Sequence, residues 1–136
     1  MNIVRHQPEA AIPNNTPIFV GEVATQSLVG ELHASHLRMT SVTFRNGARN
    51  RPHRHSCDQV LVVTDGRGII ATEDEIREVG PGDVVVIPAG ELHWHGAAPG
   101  ETLTHLSIVT PHETAIEDRD GDVQAIDSVA WMGDRI

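Results

Sequence analysis

Two stretches decide how this chain is read: GARNRPHRHSCDQVLVVTDG over residues 47–66 and GDVVVIPAGELHWHGA over residues 82–97. In each, short runs rich in Val and Ile are broken by Gly, Pro and Asp, which favours strands over helices. Side chains alternate faces along an extended chain. His53, His55 and Gln59 therefore share one parity and can converge on one side of a sheet. His93 and His95 share a face in the same way, with Trp94 opposite and expected in the core on the other side.

Working outward, residues 18–20, 38–44, 59–64, 68–71, 84–87 and 103–109 read as further strands. Asp65-Gly66, with Gly68 nearby, predicts a hairpin between two of them, and Pro81-Gly82-Asp83 suits a type II turn. Many short strands without a long helical pattern indicate an all-β sandwich or barrel. Residues 1–17 hold Pro8, Pro13, Pro17 and Asn14-Asn15 and read as an irregular N-terminal arm. Residues 18–111 form the barrel. Residues 112–136 form an acidic C-terminal segment, in which Glu117 to Asp122 reads as a solvated loop. Ile126, Val129, Trp131 and Met132 are expected to pack on the barrel or on a partner subunit.

At 136 residues the chain has one domain's worth of core. Its net charge of −9 disfavours nucleic acid, which needs a basic face. Every basic residue is Arg, and Tyr is absent as well as Lys. That composition excludes a Schiff-base lysine, a P-loop lysine and a Tyr general acid. The lone Cys57 excludes an internal disulfide and reads as a buried small hydrophobe. No apolar run is long enough to span a membrane and no secretory leader is legible, so a cytoplasmic protein is expected.

A fifth imidazole, His105, lies on the run 103–109 and is expected to pair antiparallel with the His93 strand. A divalent transition metal needs several neutral imidazoles or carboxylates presented by rigid elements. His53, His55 and His93 are candidates for that role, with Gln59 either a ligand or a spacer beside them. His6, His33, His36 and His112 find no partner in the sequence, and Arg49, Arg51 and Arg54 read as solvated surface charges.

The spacing Gly47-x5-His53-x-His55-x3-Gln59-x6-Gly66 resembles the first motif of the cupin superfamily. Gly82-x5-Pro88-x-Gly90-x2-His93 resembles its second. The resemblance implies a compact double-stranded β-helix, the cupin jelly-roll barrel, with one metal inside. Gln59 replaces the usual Glu and Ala97 the usual Asn. Within the superfamily, Gln59 and Ala97 together with His93-Trp94-His95-Gly96-Ala97-Ala98-Pro99 and Thr104-His105-Leu106 are similar to bacterial manganese-dependent cupin hydroxynitrile lyases.

That resemblance implies His53, His55, Gln59 and His93 as ligands of one divalent ion, Mn²⁺ first, with Fe²⁺, Ni²⁺ or Zn²⁺ as alternatives. It implies His105 as acid/base, with His95 in the same pocket in a catalytic or a supporting role. Thr40, Val42 and Val109 fall at the pocket wall. Val109 stands where that family carries a polar Gln, so one hydrogen bond to the substrate would be missing. The expectation is metal-dependent lyase chemistry on a small oxygenated molecule. A dioxygenase and a non-catalytic small-ligand-binding barrel are the alternatives. A homodimer or higher even assembly is expected, as small cupins commonly pair through edge strands and termini.

Overall fold

The computed structural model describes residues 1–117. The expectations for residues 118–136 lie outside the described residues. Eleven strands run in order: β1 (Ile12–Pro13), β2 (Phe19–Val29), β3 (Arg38–Asn50), β4 (His53–His55), β5 (Gln59–Gly66), β6 (Gly68–Thr72), β7 (Ile76–Val79), β8 (Val84–Ile87), β9 (His93–Ala97), β10 (Leu103–Val109) and β11 (Thr114–Ile116). Within the arm over residues 1–17 the chain makes a 3-10 turn, Pro8–Ala10, and then β1 pairs with β2. The arm is thus less irregular than its prolines suggested, because main-chain bonds to β2 are open to it at that edge.

All pairings are antiparallel, and the strands curl into a jelly-roll β-barrel, as expected from the sequence. One half runs β1-β2-β3-β10-β5-β8 and the other β7-β6-β9-β4-β11. The two halves meet through β3. Its first part pairs with β10 from Arg38 to Phe44, while Arg49 near its end pairs with Gly96 of β9. Asn46 (φ 51°) and Gly47 (φ 74°) lie between these parts and turn the strand from one half to the other. A Cβ on Gly96 would stand 2.4 Å from Cβ of Arg49, so only Gly lets β9 cross β3 this closely.

Two pairings differ from expectation. Gly66 adopts φ 85° as anticipated, but β5 and β6 do not pair with one another. The Asp65-Gly66 turn carries the chain from one half of the barrel to the other, so it is a crossover and no hairpin. Likewise β10 pairs with β3 and β5, whereas the His93 strand pairs chiefly with β6. Residues close in sequence are here divided between the two halves. The Pro81-Gly82 turn is as expected: Asp83 N–H reaches Gly80 C=O at 3.0 Å with Gly82 at φ 92°.

The interior holds Val23, Val42, Phe44, Leu61, Val63, Ile70, Ile87 and Leu103. Trp94 joins a second cluster with Ile69, Ala71 and Ile76, on the opposite face of β9 from His93 and His95, as its parity predicts. Cys57 is only half-buried and Arg49 is buried, both unlike the expectation. Loop position leaves Cys57 partly open, while β3 carries Arg49 inward beside Gly96. No helix among the described residues is long and apolar enough to cross a membrane.

Candidate metal centre and active site

Strand pairing assembles the imidazoles. His53 of β4 lies directly opposite His93 of β9, and His55 opposite Thr114 of β11. The rings of His53 and His93 come to 4.2 Å between centroids, His53 and His55 to 4.7 Å, His55 and His93 to 5.4 Å. The potential ligand atoms of these three residues all lie within 4.8 Å of one another. His53 and His93 are each 1% exposed. Gln59, also buried, reaches the cluster from the first residue of β5.

The outer nitrogens of these rings are tied down. His53 Nδ1 donates to Arg51 C=O at 2.6 Å, and His93 Nδ1 donates to Glu91 C=O at 2.9 Å. A carbonyl can only accept, so each neutral ring keeps a bare Nε2 for the interior. Nε2 of His55 is buried and, among the described residues, has no hydrogen-bond partner. The Gln59 amide donates from Nε2 to Ser107 Oγ at 2.9 Å, which turns its carbonyl oxygen to within 3.1 Å of His93 Nε2. Lone pairs thus face lone pairs. A divalent cation satisfies all four atoms, and the residues present fit one.

Electrostatics favour the same state. Burial, then the neighbouring His93, pushes His53 down to about 3 and His55 to about 4. Burial also lowers His93, takes His105 down to about 4, and with His105 beside it holds His95 well below the ordinary imidazole range. All five rings are neutral at pH 7, the form that metals and protons seek. No carboxylate is among the causes of these shifts.

His95 and His105 form a second pair deeper in the barrel, each almost wholly buried. Asn50 fixes it. The Asn50 Oδ1 accepts the His95 backbone N–H at 2.8 Å, leaving its Nδ2 to donate to His95 Nε2 at 3.1 Å. His95 must then carry its proton on Nδ1, which donates to His105 Nε2 at 3.1 Å. Phe44 packs against both rings, at 5.8 and 5.5 Å between centroids. The His95 ring stacks 5.7 Å from His93, so the pair adjoins the candidate metal-ligand cluster.

Val42 lies opposite His105 across β3 and β10, and Thr40 opposite Ser107. Directly opposed residues share a face, so Thr40, Val42 and, two residues beyond Ser107, Val109 lie on the His105 face. Asn50, Ser107, Thr114 and His112 were missed in the sequence. Ser107 shares the parity of His105, a signal that could have found it; Asn50 and Thr114 meet their histidines only through long-range pairing, and His112, bonded locally to Thr110 and Thr114, meets His55 only across that pairing.

A jelly-roll barrel whose inward imidazoles could hold one metal ion defines the class. The cupin domain pattern matches residues 40–109, and the chain belongs to the cupin family. The (R)-mandelonitrile lyase of Granulicella tundricola is 39% identical to it over 109 residues, spanning 79% of this chain and 83% of that protein. A cupin-like protein from Thermotoga maritima, known from its crystal structure, superposes with a TM-score of 0.75 at 33% identity, covering 89% of this chain and 93% of its own. An acireductone dioxygenase from Sulfurihydrogenibium sp. is 44% identical over 48 residues, or 32% of this chain and 27% of that protein.

Proposed function

We propose that this protein is a metal-dependent lyase that breaks or forms the C–C bond of a cyanohydrin-type substrate. His53, His55, His93 and Gln59 hold one divalent ion, Mn²⁺ in the first place. The observation that carries the reading is the gathering of the His53, His55 and His93 ligand atoms within 4.8 Å of one another, with the Gln59 oxygen 3.1 Å from His93 Nε2, in a chain 39% identical to a mandelonitrile lyase. The ion supplies Lewis-acid stabilisation of negative charge on a substrate oxygen.

The chain's own residues do the rest. With substrate bound, His105 Nε2 gives up the hydrogen bond from His95 and takes the hydroxyl proton of the cyanohydrin as the O–H pair becomes the second bond of the carbonyl. The C–C pair leaves with cyanide, and the same imidazole returns the proton to it, giving aldehyde and hydrogen cyanide. Before substrate binds, His95, held in one tautomer by Asn50, donates to His105 Nε2 and so orients its ring with the basic nitrogen unprotonated. Thr40, Val42 and Val109 bound the substrate. Val109 offers no polar atom, which favours an apolar substituent there. The reading extends to a homodimer or higher even assembly, supported by Val84 and Val86 of edge strand β8, which are 60% and 66% exposed.

The test is metal analysis of the purified protein beside an anaerobic assay of benzaldehyde with cyanide. Cyanohydrin formed in proportion to bound metal supports the reading; no turnover in fully loaded protein overturns it. The local likeness to an acireductone dioxygenase favours a second reading, a dioxygenase, which requires turnover that stops when oxygen is removed.

A further inference from the structure

The segment after Pro111 lies beyond the residues matched to the cupin domain, yet it touches the candidate metal centre. Thr114 faces His55 across the β4–β11 pairing, and its hydroxyl lies 2.9 Å from His55 Nδ1. The same hydroxyl lies 3.1 Å from His112 Nε2. His112 Nδ1 donates to Thr110 C=O at 2.7 Å, and its ring stands edge-on to His55 at 4.7 Å between centroids. The segment is pinned to β4 and its flanks: Ser56 N–H reaches Glu113 C=O, Glu113 N–H reaches Ser56 Oγ, and Arg54 pairs with Glu117.

The directions of these bonds follow from the groups. Thr110 C=O only accepts, so neutral His112 is protonated on Nδ1 and accepts at Nε2. The Thr114 hydroxyl has one hydrogen. It gives that hydrogen to His112 and has lone pairs left for His55, whose Nδ1 must therefore donate. The His55 Nε2, buried and without a hydrogen-bond partner among the described residues, is then bare. His53 and His93 reach the same tautomer through backbone carbonyls. His55 reaches it through side chains.

We infer that Thr114 and His112 form a hydrogen-bonded bracket that sets the tautomer and orientation of His55 and so completes the metal centre from outside the cupin-matched segment. Both are positioning residues. The inference rests on the metal centre proposed above, but its first readout needs no metal.

In metal-free, ¹⁵N-labelled protein, long-range ¹H–¹⁵N spectra at neutral pH should show His55 protonated on Nδ1. Thr114→Val keeps the β-branched shape that suits β11 and removes the hydroxyl. It should bring the Nε2-protonated form of His55 into the spectrum and weaken Mn²⁺ binding roughly 10–100-fold, read from the EPR signal of the free ion. Thr114→Ser should restore both. His112→Ala, which leaves the strand intact, should also admit the second tautomer. A His55 tautomer unchanged in both Thr114→Val and His112→Ala overturns the inference, even if Mn²⁺ binds. Failure of the unaltered protein to bind Mn²⁺ contradicts the metal-centre reading instead, and the tautomer readout still decides the bracket.

Discussion

The carbonyl oxygen of the Gln59 side chain lies 3.1 Å from Nε2 of His93, and both atoms are acceptors. Glu91 C=O, which only accepts, holds the imidazole; the Gln59 amide could reverse and keep Ser107, whose hydroxyl both donates and accepts, so the inward oxygen is the orientation that a cation would select. Such an arrangement is unfavourable alone and favourable around a cation, where a neutral amide binds but leaves the ionic charge uncompensated.

Gln59→Glu puts a full negative charge at that oxygen. Mn²⁺ should bind roughly tenfold more tightly or better. Cyanohydrin turnover should fall, because the ion becomes a weaker Lewis acid. Calorimetric titration against initial rates separates the two effects. Weaker binding in the variant would show that Gln59 is no ligand.

His105→Ala should leave metal content unchanged, since among the described residues its ring is hydrogen-bonded to His95 and to none of the four proposed ligands. Turnover should drop roughly 10²–10⁴-fold, the usual contribution of a positioned proton-transfer group. Metal analysis and kcat on the same preparation check it, and full activity would leave His105 a packing residue.

The depressed imidazoles set the pH behaviour. With His53 held at about 3 and His55 at about 4, both rings are already neutral at pH 5.5, and burial lowers His93 as well. Mn²⁺ affinity should change by only a few-fold between pH 7 and about 5.5, whereas three ordinary imidazoles near 6.5 would lose roughly a thousandfold. The metal-free fold behaves otherwise. Its unfolded chain takes protons from about pH 6.5 downward, while the folded rings resist until about 3 to 4. Stability should be full above pH 6.5 and fall steadily as the pH drops through that window, as urea midpoints would show.

Gly96→Ala should destabilise by about 1–3 kcal/mol or more, because the new methyl meets Arg49 Cβ at 2.4 Å and Ala48 C=O at 2.5 Å. Gly82→Ala meets nothing within 4 Å and is strained only by its φ of 92°. Thermal melts of the two variants should therefore differ, with Gly96→Ala the lower.

Much of this was legible locally. Parity put His53 with His55 and Trp94 away from His93, because alternation is a property of each strand by itself; Gln59 opens a different strand, in the other half of the barrel, so its approach to them was not a matter of parity. Strands β8 and β10 were readable residue for residue, being unbroken apolar or alternating runs. The second half of β3 was hidden by Asn46-Gly47, which reads as a turn and acts as a bend within a strand. Strand β11 was hidden between Pro111 and an acidic run. The partners Asn50 of His95, Ser107 of Gln59 and Thr114 of His55 stood on other strands. Which strands adjoin depends on how the barrel closes, and no local pattern records it.

The most direct test is X-ray absorption of the protein loaded with one equivalent of Mn²⁺, with Gln59→Ala measured beside it. Three imidazole nitrogens and an oxygen lost in the variant are the predicted first coordination sphere. A sphere of water and carboxylate oxygen, unchanged by Gln59→Ala or by loss of His53, would contradict it.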